Sequence, residues 1–208
     1  MNNGVMNTEE GLFIVISAPS GTGKTSIRRE FLKMYPGVKF SVSYTTRPPR
    51  PGEVQGEDYY FISEESFKER IVQGEFAEWI ENYSYLYGTS KKMMGSFLDK
   101  GSDVILDIEP RGARALKQSY PQGVFVFILP PSINELKARL SKRGAETAGE
   151  MKKRLDMAMD EIAEIAWYDY IIFNDRLGEA AHYLGAIYLA EKSRRERVRS
   201  KIRIFLNS

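Results

Sequence analysis

Near the N-terminus an apolar run leads straight into a glycine turn and then a helix, and no other feature constrains the fold as tightly. Leu12-Phe-Ile-Val-Ile16 is continuous, apolar and rich in β-branched side chains, the pattern of a strand buried on both faces. Ala18-Pro-Ser-Gly-Thr-Gly-Lys24-Thr25 follows, and a helix is predicted from about Lys24 to Tyr35, ended by Pro36-Gly37. Strand, glycine turn and helix in that order open an α/β domain. Gly21 and Gly23 let the backbone curl so that successive N–H groups point inward. The helix adds the positive end of its dipole to the same place. Such a cradle suits a polyphosphate, and the segment matches the Walker A pattern at its second glycine, its lysine and its hydroxyl, with Ala18 where the general pattern has glycine. Ala18, Pro19, Ser20, Gly21, Thr22, Gly23, Lys24 and Thr25 are therefore candidate ATP-binding residues. Lys24 would reach the β- and γ-phosphates, and Thr25 would hold Mg²⁺ through its hydroxyl.

Further along, Val104–Asp107 reads as a second buried strand with an acid at its C-terminal end, a candidate second-shell partner for the metal. Val124–Leu129, closed by Pro130-Pro131, and Tyr170–Phe173 are the next strands. Ser132 with Glu135 forms a capping-box pattern for a helix to about Arg143, and a final helix is predicted from about Leu177 to Lys201. The alternation predicts a three-layer P-loop fold, a parallel sheet core with helices on both faces. The stretch 40–88 breaks the rhythm: it is rich in Tyr, Ser, Thr and Glu and holds short strand-like pieces at Phe40–Tyr44 and Tyr59–Ile62, with a helix near Ser63–Gln73. It reads as an inserted mixed-strand lobe on a core of 1–39 and 89–208, and the polar, glycine-bearing stretch at about 141–155 as a mobile helical lid.

The chemistry open to the chain is narrow. With no cysteine, disulfides, thiolate metal sites and cysteine nucleophiles are excluded, and with one histidine, His182, in a predicted helix, a His-based triad or a multi-His zinc site is not expected. Phosphoryl transfer, which relies on positioning and cationic screening, suits what remains. A net charge of +2 does not suggest a nucleic-acid partner. No apolar run approaches the roughly 18 residues of a membrane span, and Met1 to Gly11 lacks the form of a secretory signal. A cytoplasmic location without a membrane partner is the expectation.

More specific is Ser41-Val-Ser-Tyr-Thr-Thr-Arg47-Pro-Pro-Arg50-Pro-Gly-Glu-Val-Gln-Gly-Glu-Asp-Tyr59, which sets two arginines among prolines ahead of a tyrosine. With Glu75-Phe-Ala-Glu78-Trp79, Tyr87-Gly-Thr89, Leu106-Asp-Ile-Glu109 and Arg139-Leu-Ser-Lys-Arg143-Gly, it resembles the guanylate kinases along nearly the whole chain, from about Gly11 to Arg199. The resemblance implies transfer of the γ-phosphoryl group of MgATP to GMP, or to its deoxy form, giving ADP and GDP. It makes 40–88 a GMP-binding lobe. Arg47 and Arg50 are similar to the pair that grips the acceptor phosphate, and Tyr59 and Tyr87 to the tyrosines that join them. Glu78 matches the carboxylate that takes the guanine N1–H and amino group, and Ser43 and Thr89 the hydroxyls near O6. Asp107 and Glu109 fall on the GMP side as well, and Asn174 on the ATP side. Arg139, Arg143 and Arg154 match the lid arginines that, with Lys24 and Arg47, are the candidate catalytic residues. Glu109 stands where the family usually has Asp, and Pro110-Arg111 where it has an apolar-Gln pair, which bears on contacts to base and ribose.

A carboxylate at Glu78 suits guanine, which offers two donors on that edge, and would face a lone pair on adenine. No general base is needed, because a nucleotide phosphate is mostly dianionic at neutral pH. Three other readings share parts of these motifs. A non-catalytic, protein-binding module of similar fold usually has a degraded phosphate loop, which is intact here. Another nucleotide or sugar-phosphate kinase would use the same core. The basic tail from Lys192 to Arg203 could hold nucleic acid, or could be a solvated helix end whose charges suit its own dipole. Oligomeric state, including any homo-oligomer, is left open.

Overall fold

The computed structural model describes residues 11–82, 84–141 and 148–208. Its first strand, β1 (Phe13–Ser17), is buried at every position and runs through Ala18–Gly23 into α1 (Lys24–Met34). β2 (Lys39–Ser41), β7 (Val104–Asp107), β8 (Val124–Leu129) and β9 (Tyr170–Phe173) join β1 in a parallel five-stranded sheet of order β2-β7-β1-β8-β9. Between β2 and β7 the chain builds a second, four-stranded sheet from β3 (Tyr44–Thr45), β4 (Tyr60–Phe61), β5 (Phe76–Asn82) and β6 (Tyr85–Ser90), in the order β4-β3-β6-β5. α2 (Glu64–Val72) sits within that lobe and α3 (Lys91–Leu98) leads back to the core. α4 (Pro110–Ser119) follows β7, α5 (Ile133–Ser141) follows β8, and α6 (Ala148–Ala163) with a short 3₁₀ turn precedes β9. α7 (Leu177–Lys192) and α8 (Arg199–Leu206) end the chain.

Side-chain alternation along β1 explains the three layers. Ile14 and Ile16, with Val124, Val126 and Ile128 of β8, face α1 and α7, where Ile27, Phe31, Ala181 and Leu184 cover them. Phe13 and Val15, with Phe125 and Phe127, face the other way onto Ala113 and Leu116 of α4. A strand covered on both sides must be apolar throughout, as Leu12–Ile16 is; each such side chain contributes about 1.5–3 kcal/mol on burial. Asp103 joins the two ends of the chain. Its carboxylate accepts from the Leu12 N–H at 2.9 Å, the Tyr188 hydroxyl at 2.7 Å and Lys192 Nζ at 2.6 Å.

Some boundaries differ from expectation. Phe40–Tyr44 is two strands: Phe40 and Ser41 are bonded into the core sheet beside Ile105 and Leu106, and Tyr44 pairs with Tyr60 in the lobe. Thr89 and Ser90, expected in the core, end the lobe strand β6, opposite Glu78 and Phe76. The predicted final helix breaks after Lys192, because the next apolar side chain after Ala190 is Val198, and the polar run between them cannot continue the stripe that α7 packs against α1. Ser132 does cap α5 by accepting from the Glu135 N–H at 3.1 Å, but the Glu135 carboxylate takes Arg139 Nε at 2.8 Å instead of closing the box. Of the expected lid, Ala148 to Arg154 begins α6, and residues 142–147, with Arg143 among them, lie outside the described residues. Among the described residues no helix is long and apolar enough to cross a membrane.

Candidate functional site

The glycine turn has the backbone its sequence demands. Gly21 and Gly23 sit at φ 89° and 96°, where a side chain would be strained, and Gly23 caps α1. The Thr22 hydroxyl and N–H both donate to the Pro19 carbonyl, at 2.8 and 3.2 Å, and close the turn. From outside, Asn174 Nδ2 at 2.7 Å and Arg139 NH1 at 3.1 Å donate to the Thr22 carbonyl, so both predicted residues brace the loop. A Cβ on Gly23 would come within 2.7 Å of Asn174 Nδ2, a second reason for glycine there.

Lys24 opens α1 beside the end of β7, because Ile16 and Asp107 are in register across the sheet. Its Nζ lies 2.7 Å from Asp107 Oδ1. Burial alone would lower the Lys24 pKa, but Asp107 and Glu109 beside it hold the ammonium charged well above its ordinary range. One helical turn on, Arg28 is 5% exposed and lies 3.6 Å from Asp107 Oδ2 and 3.7 Å from Asp58 Oδ1. Thr25 is exposed on the first turn of α1.

The lobe supplies a second cationic group. The buried Arg47 guanidinium donates from NH2 to both Glu53 oxygens, at 2.9 Å each, and from NH1 to the Pro48 carbonyl at 2.6 Å. It lies 5.5 Å from the centre of the Tyr59 ring, and the Tyr87 hydroxyl is beside it. The Arg50 side chain is exposed, while its N–H donates to Glu53 at 2.7 Å. Burial raises the Tyr59 and Tyr87 hydroxyl pKa values, so both stay protonated donors. Tyr59 feels the field of Asp107 and Lys24, and Glu109 that of Lys24 and Arg50, so the glycine-turn cluster and the arginine-tyrosine cluster face one basin.

Glu78 lines the inner wall. In the β5–β6 register it stands opposite Thr89, whose hydroxyl donates to its Oε1 at 2.6 Å. Its Oε2 is buried without a protein partner, close to α4, where a Cβ on Gly112 would lie 2.2 Å away. Burial pushes the carboxyl up to about 7, against the Thr89 hydrogen bond that pulls it down. Ser43 is buried at the joint between β2 and β3. Glu109 caps α4 and borders a cavity of about 140 Å³ with Ile80, Asn82, Arg111 and Glu161. Burial, then Glu109, push Glu161 up to about 8. Arg154 lies half-buried on α6.

Four residues of this basin escape a reading of the sequence: Glu53, Asp58, Arg28 and Glu161. Arg28 alone has a local signal, its position one turn after Lys24 on the same helix face.

The guanylate kinase family model matches residues 11–191. A guanylate kinase of Syntrophus aciditrophicus (strain SB) is 61% identical over 198 residues, covering 95% of each chain. One of Geobacter metallireducens is 48% identical over 189 residues, covering 91% of this chain and 93% of its own. Among solved structures, a guanylate kinase from Anaplasma phagocytophilum superposes with a TM-score of 0.76 at 30% identity, over 93% of this chain and 96% of its own. A shikimate kinase from Bacteroides thetaiotaomicron, at TM-score 0.50 and 16% identity over 85% of this chain and 98% of its own, shares the fold alone. By the family model and by relatives of up to 61% identity, the chain is a member of the guanylate kinase family.

Proposed function

We propose that the chain carries out guanylate kinase chemistry, MgATP plus GMP giving ADP plus GDP, with the glycine turn as donor site and the lobe as acceptor site. The observation that carries the base assignment is the buried, unpartnered Oε2 of Glu78 beside a hydroxyl-bonded Oε1. Guanine offers two donors on one edge, and a carboxylate with one free oxygen in a dry wall is their complement. Arg47, Arg50, Tyr59 and Tyr87 hold the acceptor phosphate, and Glu53 pins Arg47 until that phosphate takes its place.

Lys24 leaves Asp107 for the donor phosphates, and Arg139 steadies the loop that holds them. Arg143 and Arg154 complete the cationic screen around the transferring group. The oxygen donors at the head of α1 and the end of β7 are few and hard, as Mg²⁺ requires. The Thr25 hydroxyl, with Asp107 behind it, suits an ion that takes most of its oxygens from phosphates and water. When bound, Mg²⁺ neutralises charge on those phosphates. Ser43 and Thr89 border the base, Glu109 lies on the guanine side, and Asp107 completes the GMP side. The same reading makes GMP or dGMP the acceptor, the cytoplasm the place of action, 40–88 the acceptor lobe and 141–155 the lid.

A coupled ADP-release assay across the four nucleoside monophosphates tests the reading. GMP is expected to exceed AMP, CMP and UMP by orders of magnitude, and Glu78→Gln to lose GMP turnover selectively. Comparable turnover of AMP by the unmodified protein refutes the base assignment.

A further inference from the structure

Arg28 stands between the two halves of the basin without belonging to either. It projects from the buried face of α1, with Ile27 and Phe31, and its guanidinium lies 3.7 Å from the centre of the Phe40 ring. NH1 faces Asp107, the acid that also holds Lys24. NH2 faces Asp58, the residue before Tyr59. Asp58 is itself 8% exposed, and its Oδ2 accepts from the Val54 N–H at 3.0 Å, so it sets the path of the loop that delivers Tyr59. A second, largely exposed arginine, Arg29, also reaches Asp58, at 2.8 Å. A buried arginine is costly unless its charge is used. This one is shared between a core carboxylate and a lobe carboxylate.

We propose that Arg28 is a positioning residue that couples the acceptor loop to the phosphate side of the site. It touches neither nucleotide. Its charge, together with the Arg29 hydrogen bond, draws Asp58, and through it Tyr59, toward Asp107 and the glycine turn. When Lys24 moves from Asp107 to the donor phosphates, Arg28 remains as the cation beside Asp107 and keeps that carboxylate in place. The two ion pairs, at 3.6 and 3.7 Å, are made by different nitrogens of one planar guanidinium, a two-sided reach that a lysine, with its single ammonium, does not reproduce. The inference rests on the acceptor and donor assignments made above.

The test is a double-mutant cycle on the full-length protein, read as separate KM values for GMP and ATP. Arg28→Met keeps an unbranched side chain over Phe40 and removes the fork. It is expected to raise KM for GMP about tenfold, equivalent to about 1.4 kcal/mol, while KM for ATP changes less than about twofold. Asp58→Asn, which also weakens the Arg29 pair, is expected to raise KM for GMP at least as much, and the double variant to be no worse than Asp58→Asn alone, because the Arg28 tie is already lost in it. Arg28→Lys, which keeps the charge, is expected to fall between wild type and Arg28→Met; if Arg28→Met does not fold, the cycle is read with Arg28→Lys. Equal rises in both KM values, or penalties on GMP that multiply in the double variant, overturn the coupling. Wild-type protein that does not phosphorylate GMP refutes the functional reading itself, which keeps the two failures apart.

Discussion

Glu78→Gln separates the cost of holding a carboxylate in the lobe wall from its use. In the protein without nucleotide, burial moves the Glu78 pKa from 4.5 to about 7. In the unfolded chain the group ionises near its ordinary value, so between these two values the folded state holds a proton that the unfolded state has lost. The folded state binds more protons, and stability therefore falls as pH rises through that window. A shift of about 2.5 units corresponds to about 3 kcal/mol, most of it lost between about pH 5 and pH 8. Glutamine keeps the Thr89 hydrogen bond and has nearly the shape of the protonated acid, so it carries no such penalty. Thermal melts without nucleotide are the assay. The two proteins are expected to melt close together near about pH 5, and the glutamine variant roughly 6–12 °C higher near about pH 8, at 2–4 °C per kcal/mol for a chain of this size. Saturating GMP should narrow the gap, since the base supplies the donors that the ionised carboxylate lacks. A melting difference that does not change with pH would refute the claim that Glu78 is held protonated by burial, whatever the activity of the variant.

Three further outcomes follow from geometry. Lys24→Met is expected to lower kcat by about 10²–10³ or more with little change in melting temperature, because Arg28 still faces Asp107; a loss of melting temperature equal to that of a core mutation would contradict it. Gly112→Ala places a methyl group 2.2 Å from Glu78 Oε2 and should raise KM for GMP about tenfold, although alanine favours a helix by about 1 kcal/mol; steady-state kinetics with each substrate varied decide between steric and propensity effects. Asp103→Ala removes the acceptor shared by Leu12, Tyr188 and Lys192 and should cost about 2–4 kcal/mol at neutral pH. Burial opposes ionisation of Asp103, but Lys192, the Leu12 N–H and Tyr188 outweigh it and depress its pKa. That stability is present above the ordinary carboxylate range and lost as pH falls through the depressed value, so denaturation curves of the two proteins should converge in acid.

Local signals carried the core. Leu12–Ile16 and Val124–Leu129 are apolar without a break because both faces are covered, and the glycine turn announces itself by residues that only its φ angles require. The candidate site was legible where a motif is contiguous, as at Arg47 to Tyr59. It was not legible where partners meet through topology. Arg28 pairs with Asp58, thirty residues on, and Asp107, seventy-nine on, and no periodicity in the chain records that α1 lies against both. Phe40–Tyr44 shows why boundaries fail: the sequence has no glycine or proline to mark the point where the chain leaves one sheet for another, and the change is made by hydrogen bonding, with the Tyr60 N–H donating to the Ser43 carbonyl. Glu135 shows competition of another kind, since an arginine one turn away is a stronger partner than the helix end it was expected to cap.

That short joint at Val42-Ser43 has a mechanical consequence. The lobe is tied to the core sheet there, and again where β6 runs directly into α3 at Ser90-Lys91. Between these joints the core also grips the lobe through space, by Arg28 and Arg29 at Asp58 and by α4 against β5. Any swing about the two joints must therefore loosen those contacts first, and stiffening either joint is expected to slow the approach of acceptor to donor.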